Sequence, residues 1–480
     1  MVKHKKHYKQ KSRKRQGKKR AQERVNKINA KTPYDFKGRH LTPYGGLLPL
    51  ISMLEKLKFK DLIGQELTIK RIPHSMNNYQ FILSILIGIY IGFSRLTHLV
   101  HIATDPIITG ILKVNRLPVQ STFWRFLQSL RIFNVKQLEK VNRVMMARVW
   151  EALNLHFSRI TIDTDTTVNT LFGKQMGAKK GYNPKNKGKK SYQPILSFIA
   201  QTGEFIGGKQ RKGDRPTGEE VAKHLREVFE SIPKRCKRIF ARADAGFYCK
   251  EAIKIYREYK VLFIVVAQKT PALITQLYHA DWQKMKSGEE VCEFFYQPTG
   301  WGSLERFVAI RYPKEVKPGD QLGLFEEEDY IYRVFVTGIK WSVLKVIDFY
   351  DGRAEAENLI KEANNDAGVA AVPSGRFIAN MNFFLLAMLA YNFNRWLTLF
   401  ALEENEKYRR TMLSTSRLKY LFIGAKIIFT SNRTEVHYGE DYPHQEKFNW
   451  LMEKLRKVKV VGGRVIPLYP EPLKVVWACS

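Results

Sequence analysis

Residues Arg159–Val168 read RITIDTDTTV, and the alternation in this stretch decides the fold class. Ile160 and Ile162 fall on one side, while Thr161, Asp163, Asp165 and Thr167 fall on the other, the period of a strand with one polar face. Downstream, YQPILSFIAQ, the turn TGEF and IGGKQRKG suit a hairpin. TGEE at 217–220 is a capping box, Thr217 as N-cap and Glu220 reaching back, and it opens the helix EVAKHLREVFESI. KRIFARADAGFY is a strand ending in a turn, CKEAIKIYREY a helix and KVLFIVVAQ a buried strand. A hairpin followed by strand–helix–strand units predicts an α/β core on a mixed sheet, its first part over residues 158–281. EEVCEFFYQ, ERFVAIRYP and DYIYRVFVTG then predict an antiparallel β insertion over 282–336, with the core resuming over 337–400.

Upstream of Arg159 the texture is helical, with apolar residues at three- and four-residue spacing in GGLLPLISMLEKL and KQLEKVNRVMMARVWEAL. Residues 33–157 are therefore expected to form an α-helical N-terminal DNA-binding region. Pro118, Ser121 and TFWRFLQSL suit a helix after a tight turn, as a helix-turn-helix reader has, with Trp124 and Phe126 as core residues. Residues 1–32 carry a single acid, Glu23, and too little apolar surface for a core, so a basic disordered arm is expected there. The C-terminal region, 401–480, mixes helix and strand signals.

The chain has 480 residues, with 81 Lys and Arg against 45 Asp and Glu, a formal net charge of +36. That excess calls for a polyanionic partner, nucleic acid before an anionic membrane surface. The longest apolar runs, FILSILIGIYIGF and NFFLLAMLAYNF, fall short of the roughly 18–20 residues a spanning helix needs, and are expected to be buried core helices. The N-terminus has no apolar stretch behind its basic residues, and Cys236, Cys249, Cys292 and Cys479 show neither a CxxC pair nor metal-ligand spacing. A cytoplasmic protein with free thiols and no membrane partner is expected.

Five carboxylates crowd FYDGRAEAENLIKEANND, Phe349–Asp366. On a continuous helix at about 100° per residue, Tyr350, Arg353, Glu357, Lys361 and Asn364 share one face, while Asp351, Glu355 and Glu362 lie elsewhere. An Arg353–Glu357 pair on such a helix is worth only a few tenths of a kcal/mol, so spacing alone does not separate an ion pair from a functional carboxylate. The companions do. Asp163 and Asp165 lie on the polar face of the first core strand, and Asp244 ends a second strand just before Gly246. Carboxylates at strand ends, facing a helix that carries a third, can hold two Mg²⁺ ions, which prefer hard oxygen ligands. Two ions about 3.5–4 Å apart stabilise the entering and leaving oxygens of an in-line phosphoryl displacement. Periodicity does not choose between Asp163 and Asp165.

The set Asp165, Asp244 and Glu357, with Tyr350-xx-Arg353-xxx-Glu357, resembles the DDE transposases of the IS4-like superfamily. DTDTTV, GKQMGAKKGYNP, DAGFY and GRAEAEN look like the IS1380 group of bacterial insertion sequences, and the resemblance runs from about Pro43 to Trp396. It implies an RNase H-like catalytic core with an inserted β subdomain. It also implies metal ligation by Asp165, Asp244 and Glu357, with Mg²⁺ as the ion and Mn²⁺ as a substitute. Asp165 rather than Asp163 fits the register of relatives, which makes Asp163 a group that orients a ligand or a basic side chain. The superfamily's Lys, seven residues after the Glu, is Asn364 here, so its role falls to Asn364 or to Lys361. Tyr350 and Arg353 are expected at the DNA backbone, and Lys179, Lys180, Lys189 and Lys190 of the Gly173–Lys190 loop on phosphates. Trp301 is expected either to stack on an extruded base or to be a turn aromatic at the sheet edge.

A transposase is therefore expected, binding terminal inverted repeats and target double-stranded DNA and joining the cleaved ends, with a homodimer implied by the pairing of two ends. The alternatives are an RNase H-fold nuclease without strand transfer and a non-catalytic basic DNA-binding protein.

Overall fold

The computed structural model describes residues 28–71, 76–313, 330–402, 411–431 and 433–459. Most of the expected basic arm and the end of the C-terminal region lie outside them. Among the described residues, 28–41 belong to one unit and those from Thr42 onward to a second.

The second unit is a mixed α/β fold. Among the described residues its large sheet has nine strands: β1 Ile160–Thr166, β2 Ile195–Ile199, β3 Phe205–Lys209, β4 Ile239–Ala243, β5 Leu262–Val266, β6 Gln283–Lys284, β7 Glu290–Tyr296, β8 Glu305–Pro313 and β9 Tyr330–Thr337. They lie in the order β6-β7-β8-β9-β5-β4-β1-β2-β3. β1, β4 and β5 are parallel, and every other pairing is antiparallel. The antiparallel strands expected over 282–336 form among the described residues and extend the large sheet, because β9 pairs with β5 through Phe335 opposite Val266 and Thr337 opposite Ile264.

The hairpin, the strand–helix–strand units and the capping box form where the alternation and turn chemistry place them. Thr217 Oγ1 accepts from Glu220 N at 3.2 Å, Thr217 N donates to Glu220 Oε2 at 3.1 Å, and helix α3, Gly218–Glu230, follows.

The helices upstream of β1 share one continuous apolar core with the sheet rather than closing a core of their own. At its centre is the buried helix Phe377–Phe400, which packs on α1, Asn78–Ile91, and α2, Ile132–Ala152. Glu204, in the β2–β3 turn, fastens this joint by accepting from Trp150 Nε1 at 3.0 Å and Trp396 Nε1 at 2.8 Å. Both long apolar runs are thus core helices, and no single helix among the described residues is long and apolar enough to cross a membrane. In helix Gln120–Ser129, Phe126 is core as expected, but Trp124 is 41% exposed, because the buried stripe runs through Phe123, Phe126 and Leu127 instead.

Candidate active site

β1 and β4 are parallel neighbours, with Asp163 opposite Arg242 and Thr164 opposite Ala243. That register carries Asp165 to the carboxyl end of β1 beside Asp244, the first residue past β4. The carboxyl ends of parallel strands are where α/β sheets gather ligands. Asp244 caps the short turn Ala245–Phe247, its Oδ1 accepting from Gly246 N at 3.0 Å. Asp165 Oδ1 accepts from its neighbour Thr166 N at 2.7 Å.

The third carboxylate arrives from a helix that differs from the expected one. Tyr350–Asn364 is not continuous: α4, Val343–Asp351, ends at Gly352, and α5, Ala354–Asp366, begins after Arg353. Arg353 N bonds to Tyr350 O at 2.8 Å and Ala356 N to Arg353 O at 2.8 Å, three-residue spacings that tighten the chain there. The wheel therefore holds only inside α5, where Glu357 and Lys361 are both exposed on the first turns and Asn364 follows. Asn364 Nδ2 donates to Thr167 Oγ1 at 3.2 Å, which ties α5 to the chain just beyond Asp165. The other acids of the segment have separate partners: Asp351 pairs with Arg333, and Glu362, buried, pairs with Arg395 and accepts from Leu413 N.

Asp165 lies within electrostatic range of both Asp244 and Glu357. Burial pushes the Asp165 carboxyl up to about 6; Arg353 opposes the rise, while Asp244 and Glu357 add to it. Asp244 is raised as well, by burial first, with Arg353 again opposing. Burial is what raises both carboxyls, and a nearby cation favours their charged forms. That cation is Arg353, whose Nη2 sits 2.8 Å from Asp165 Oδ2. Its Nε and Nη2 are nonetheless buried without hydrogen-bond geometry to any acceptor. Burial acts to lower the Arg353 pKa, but Asp165, Tyr350, Asp244 and Asp163 outweigh it and hold the group charged.

The donor chemistry of Asp165, Asp244 and Glu357, all carboxylate oxygen, fits a hard divalent cation. Among the described residues, no three Asp, Glu, His or Cys side chains stand close enough to cage an ion in the present arrangement, in which the Arg353 guanidinium faces the first two.

Asp163 is 1% exposed and engaged by Arg242, with Nε to Oδ1 at 2.7 Å and Nη2 to Oδ2 at 2.8 Å. It orients a basic side chain. Tyr350 is buried with its ring 4.7 Å from Phe335. Burial, with Asp244 and Asp165 adding to it and Arg353 opposing, raises its hydroxyl to about 12. Trp301 is half-buried against Tyr248, ring centroids 4.8 Å apart, the arrangement of a turn aromatic at the sheet edge. Lys179, Lys180, Lys189 and Lys190 are exposed on a small separate sheet that follows β1, and Lys179 pairs with Asp214 at 2.7 Å.

Two cations at the site belong to no motif. Arg242 is signalled only by a charge inside the apolar strand IFARA, which burial obliges to find a partner. Arg215, exposed in the loop before α3, lowers the Asp244 pKa, and nothing in its spacing marks it.

No curated protein matches the chain. Among solved structures it is similar to the piggyBac transposase in a synaptic complex with hairpin DNA, at 10% identity over 78% of this chain and 79% of that one, with a TM-score of 0.41, too distant to transfer any residue's role. The sequence itself goes further than these: residues 25–460, including the three carboxylates and both strands and the helix that carry them, match the family described as transposase DDE domain group 1, and the chain belongs to that family.

Proposed function

We propose that the protein is a DNA transposase of the IS1380 group within the IS4-like superfamily, cutting an insertion sequence at its terminal inverted repeats and joining the freed 3′-OH ends to target DNA. The observation that supports this reading is Asp165 beside Asp244 at the carboxyl ends of the parallel strands β1 and β4, with Glu357 of α5 acting electrostatically on Asp165. The strand order β3-β2-β1-β4-β5 supports an RNase H-like core.

Asp165, Asp244 and Glu357 would hold two Mg²⁺ ions, with Mn²⁺ as a substitute. When bound, such ions neutralise charge on the phosphodiester and lower the pKa of an attacking hydroxyl. The chain's own residues do the rest. Arg353, already desolvated and short of acceptors, would take up phosphate oxygens as a charge-assisted clamp once its hold on Asp165 loosens. Arg242 and Asp163 keep β1, β4 and the α4–α5 junction in register. Lys361 and Asn364 continue the Glu357 face of α5 toward the DNA backbone, and Lys179, Lys180, Lys189 and Lys190 supply phosphate contacts. Trp301 serves Tyr248, next to the Asp244 turn, rather than the DNA. The helical region upstream of β1 would bind the inverted repeats, and two copies would meet at paired ends. The protein would act on DNA inside the cell.

One assay tests this. The protein is incubated with inverted-repeat DNA and Mg²⁺, and the products are resolved on a denaturing gel. Nicked ends with joined products are expected. Nicks without joining would make it a nuclease, and binding without either would make it a DNA-binding protein.

A further inference from the structure

The segment immediately after β1 carries a feature that phosphate contacts alone leave unexplained. Three short strands form a small sheet, with Lys190–Tyr192 between Asn169–Thr170 and Lys179–Lys180. Both outer strands run antiparallel to the central one, so both leave the sheet at the end where Lys189 and Lys190 enter it. At that end lie Phe172, 82% exposed, and Tyr182, 75% exposed, each two residues beyond its strand. With two inter-strand spacings between them, the outer strands are about 10 Å apart. Thr170 Oγ1 accepts from Asn183 Nδ2 at 3.1 Å, which bridges the two exits.

These rings are not held out by a loose loop. A Cβ on Gly181 would stand 2.0 Å from Gly213 O, and one on Gly213 would stand 2.2 Å from Ser191 O, so the backbones are in close contact. Tyr192 is fully buried and its hydroxyl donates to Met176 O at 2.5 Å, while Gln193 Nε2 donates to Tyr182 O at 2.9 Å. The frame is anchored, and the aromatic faces are what it presents. Around them Lys174, Lys180, Lys185, Lys187, Lys189 and Lys190 are exposed, Lys179 pairs with Asp214, and the sequence holds no acid between Asp165 and Glu204.

Solvent-facing rings on an anchored backbone, set among lysines, suit a partner with negative charge and exposed flat apolar faces. Paired DNA offers the charge but hides its base faces in the stack; an unpaired strand offers both. We propose that this small sheet is a docking surface for an unpaired stretch of DNA strand, whose bases stack on Phe172 and Tyr182 while its phosphates lie on the surrounding lysines. The proposal rests on the transposase reading for its choice of DNA. It adds that DNA opened near the catalytic carboxylates is held by its bases, on a surface that begins four residues after Asp165.

The test compares the full-length protein with a Phe172→Ala/Tyr182→Ala double variant and a Lys187→Gln/Lys189→Gln double variant, on oligothymidylate and on duplex of equal length, across a salt series. Both aromatic side chains are exposed, so the first variant should unfold at the same temperature as the unaltered protein. Its binding to oligothymidylate should weaken about 10–100-fold, as the loss of stacking predicts, with duplex binding within about threefold. The salt slope should not change for this variant, but should flatten on both DNAs for the lysine variant, through lost counterion release. Equal loss on both DNAs, or loss on neither, would overturn the proposal. So would a fall in sedimenting mass of the aromatic variant, which would assign the rings to a second copy of the chain. If the unaltered protein binds duplex but not oligothymidylate, this inference alone fails; if it binds neither, the transposase reading fails with it.

Discussion

Arg242 reaches Asp163 through two hydrogen bonds from the adjacent parallel strand, and with its third nitrogen donates to Phe349 O at 2.7 Å in α4. One guanidinium therefore joins β4, β1 and the helix that leads to Glu357. Its face also lies 5.1 Å from the Phe349 ring, so it is enclosed on that side as well. A buried pair of this kind matters most when it is broken, because the surviving charge is left without compensation.

Asp163→Asn is accordingly expected to lower the stability of the fold by about 3 kcal/mol. Denaturant unfolding of the variant beside the unaltered protein measures it. Cleavage by the folded fraction should persist at a level reduced about 10–100-fold, as expected for a residue that positions ligands rather than binding the ion. A fully stable but inactive variant would show Asp163 to be a ligand itself.

Gly352 is required by the same guanidinium. A Cβ there would stand 2.6 Å from Arg242 Nη1, and that nitrogen cannot withdraw without giving up Phe349 O. Gly352→Ala should therefore cost about 1–3 kcal/mol, the usual penalty for overfilling a packed site. Gly64, inside helix Phe59–Glu66, has nothing within 4 Å of its Cβ position, so Gly64→Ala should stabilise by about 0.5–1 kcal/mol. Thermal unfolding of the two variants should move in opposite directions.

The architecture was legible where local chemistry and tertiary demand agree. The alternation in RITIDTDTTV, the capping box at Thr217 and the apolar run in Phe377–Phe400 each state one preference, and the fold satisfies it. The break in the helix through Tyr350 was legible only in part: Gly352 is a weak helix former, but its packing against Arg242, more than a hundred residues away, is recorded by no local period. The placement of Asp165 beside Asp244 could be anticipated, since the carboxyl ends of parallel strands are few in kind. The Asp163–Arg242 pair could be anticipated only in part: Asp163 called for a basic partner, but its identity depends on strand register, and register is a long-range property.

Away from the strand ends, Glu139 lines a cavity of about 200 Å³ together with His224 and Glu227. Burial, with Glu227 adding to it and Lys209, Arg143 and Lys136 opposing, holds its carboxyl up at about 7 against an ordinary 4.5. Between those values the folded state binds more protons than the unfolded one, so this group's contribution to stability falls as pH rises from 4.5 to 7. The full difference is worth about 3 kcal/mol. Glu139→Gln should thus be more stable than the unaltered protein at pH near 8 by up to about that amount, and nearly equal to it at pH near 4. Unfolding midpoints across this range provide the check, and a parallel pair of pH profiles would refute the assignment.

The last prediction separates the acids of α5. Glu357 and Glu355 are both exposed in its first turn, two residues apart, so charge, helix position and solvent access are nearly matched between them. They differ in direction, by about 160° around a helix that turns about 100° per residue. Glu357 acts electrostatically on Asp165. A glutamine keeps the shape of either side chain and removes its charge, which a hard cation needs. Glu357→Gln should therefore eliminate single-turnover cleavage of a pre-bound DNA end with Mg²⁺ and with Mn²⁺, while DNA affinity and unfolding temperature stay as they were. Asp165→Asn should do the same to cleavage, and Glu355→Gln should leave it within a few-fold. Equal loss in the two glutamate variants, with both folded and both bound to DNA, would mean that the helix presents its charge as a field and not as a ligand.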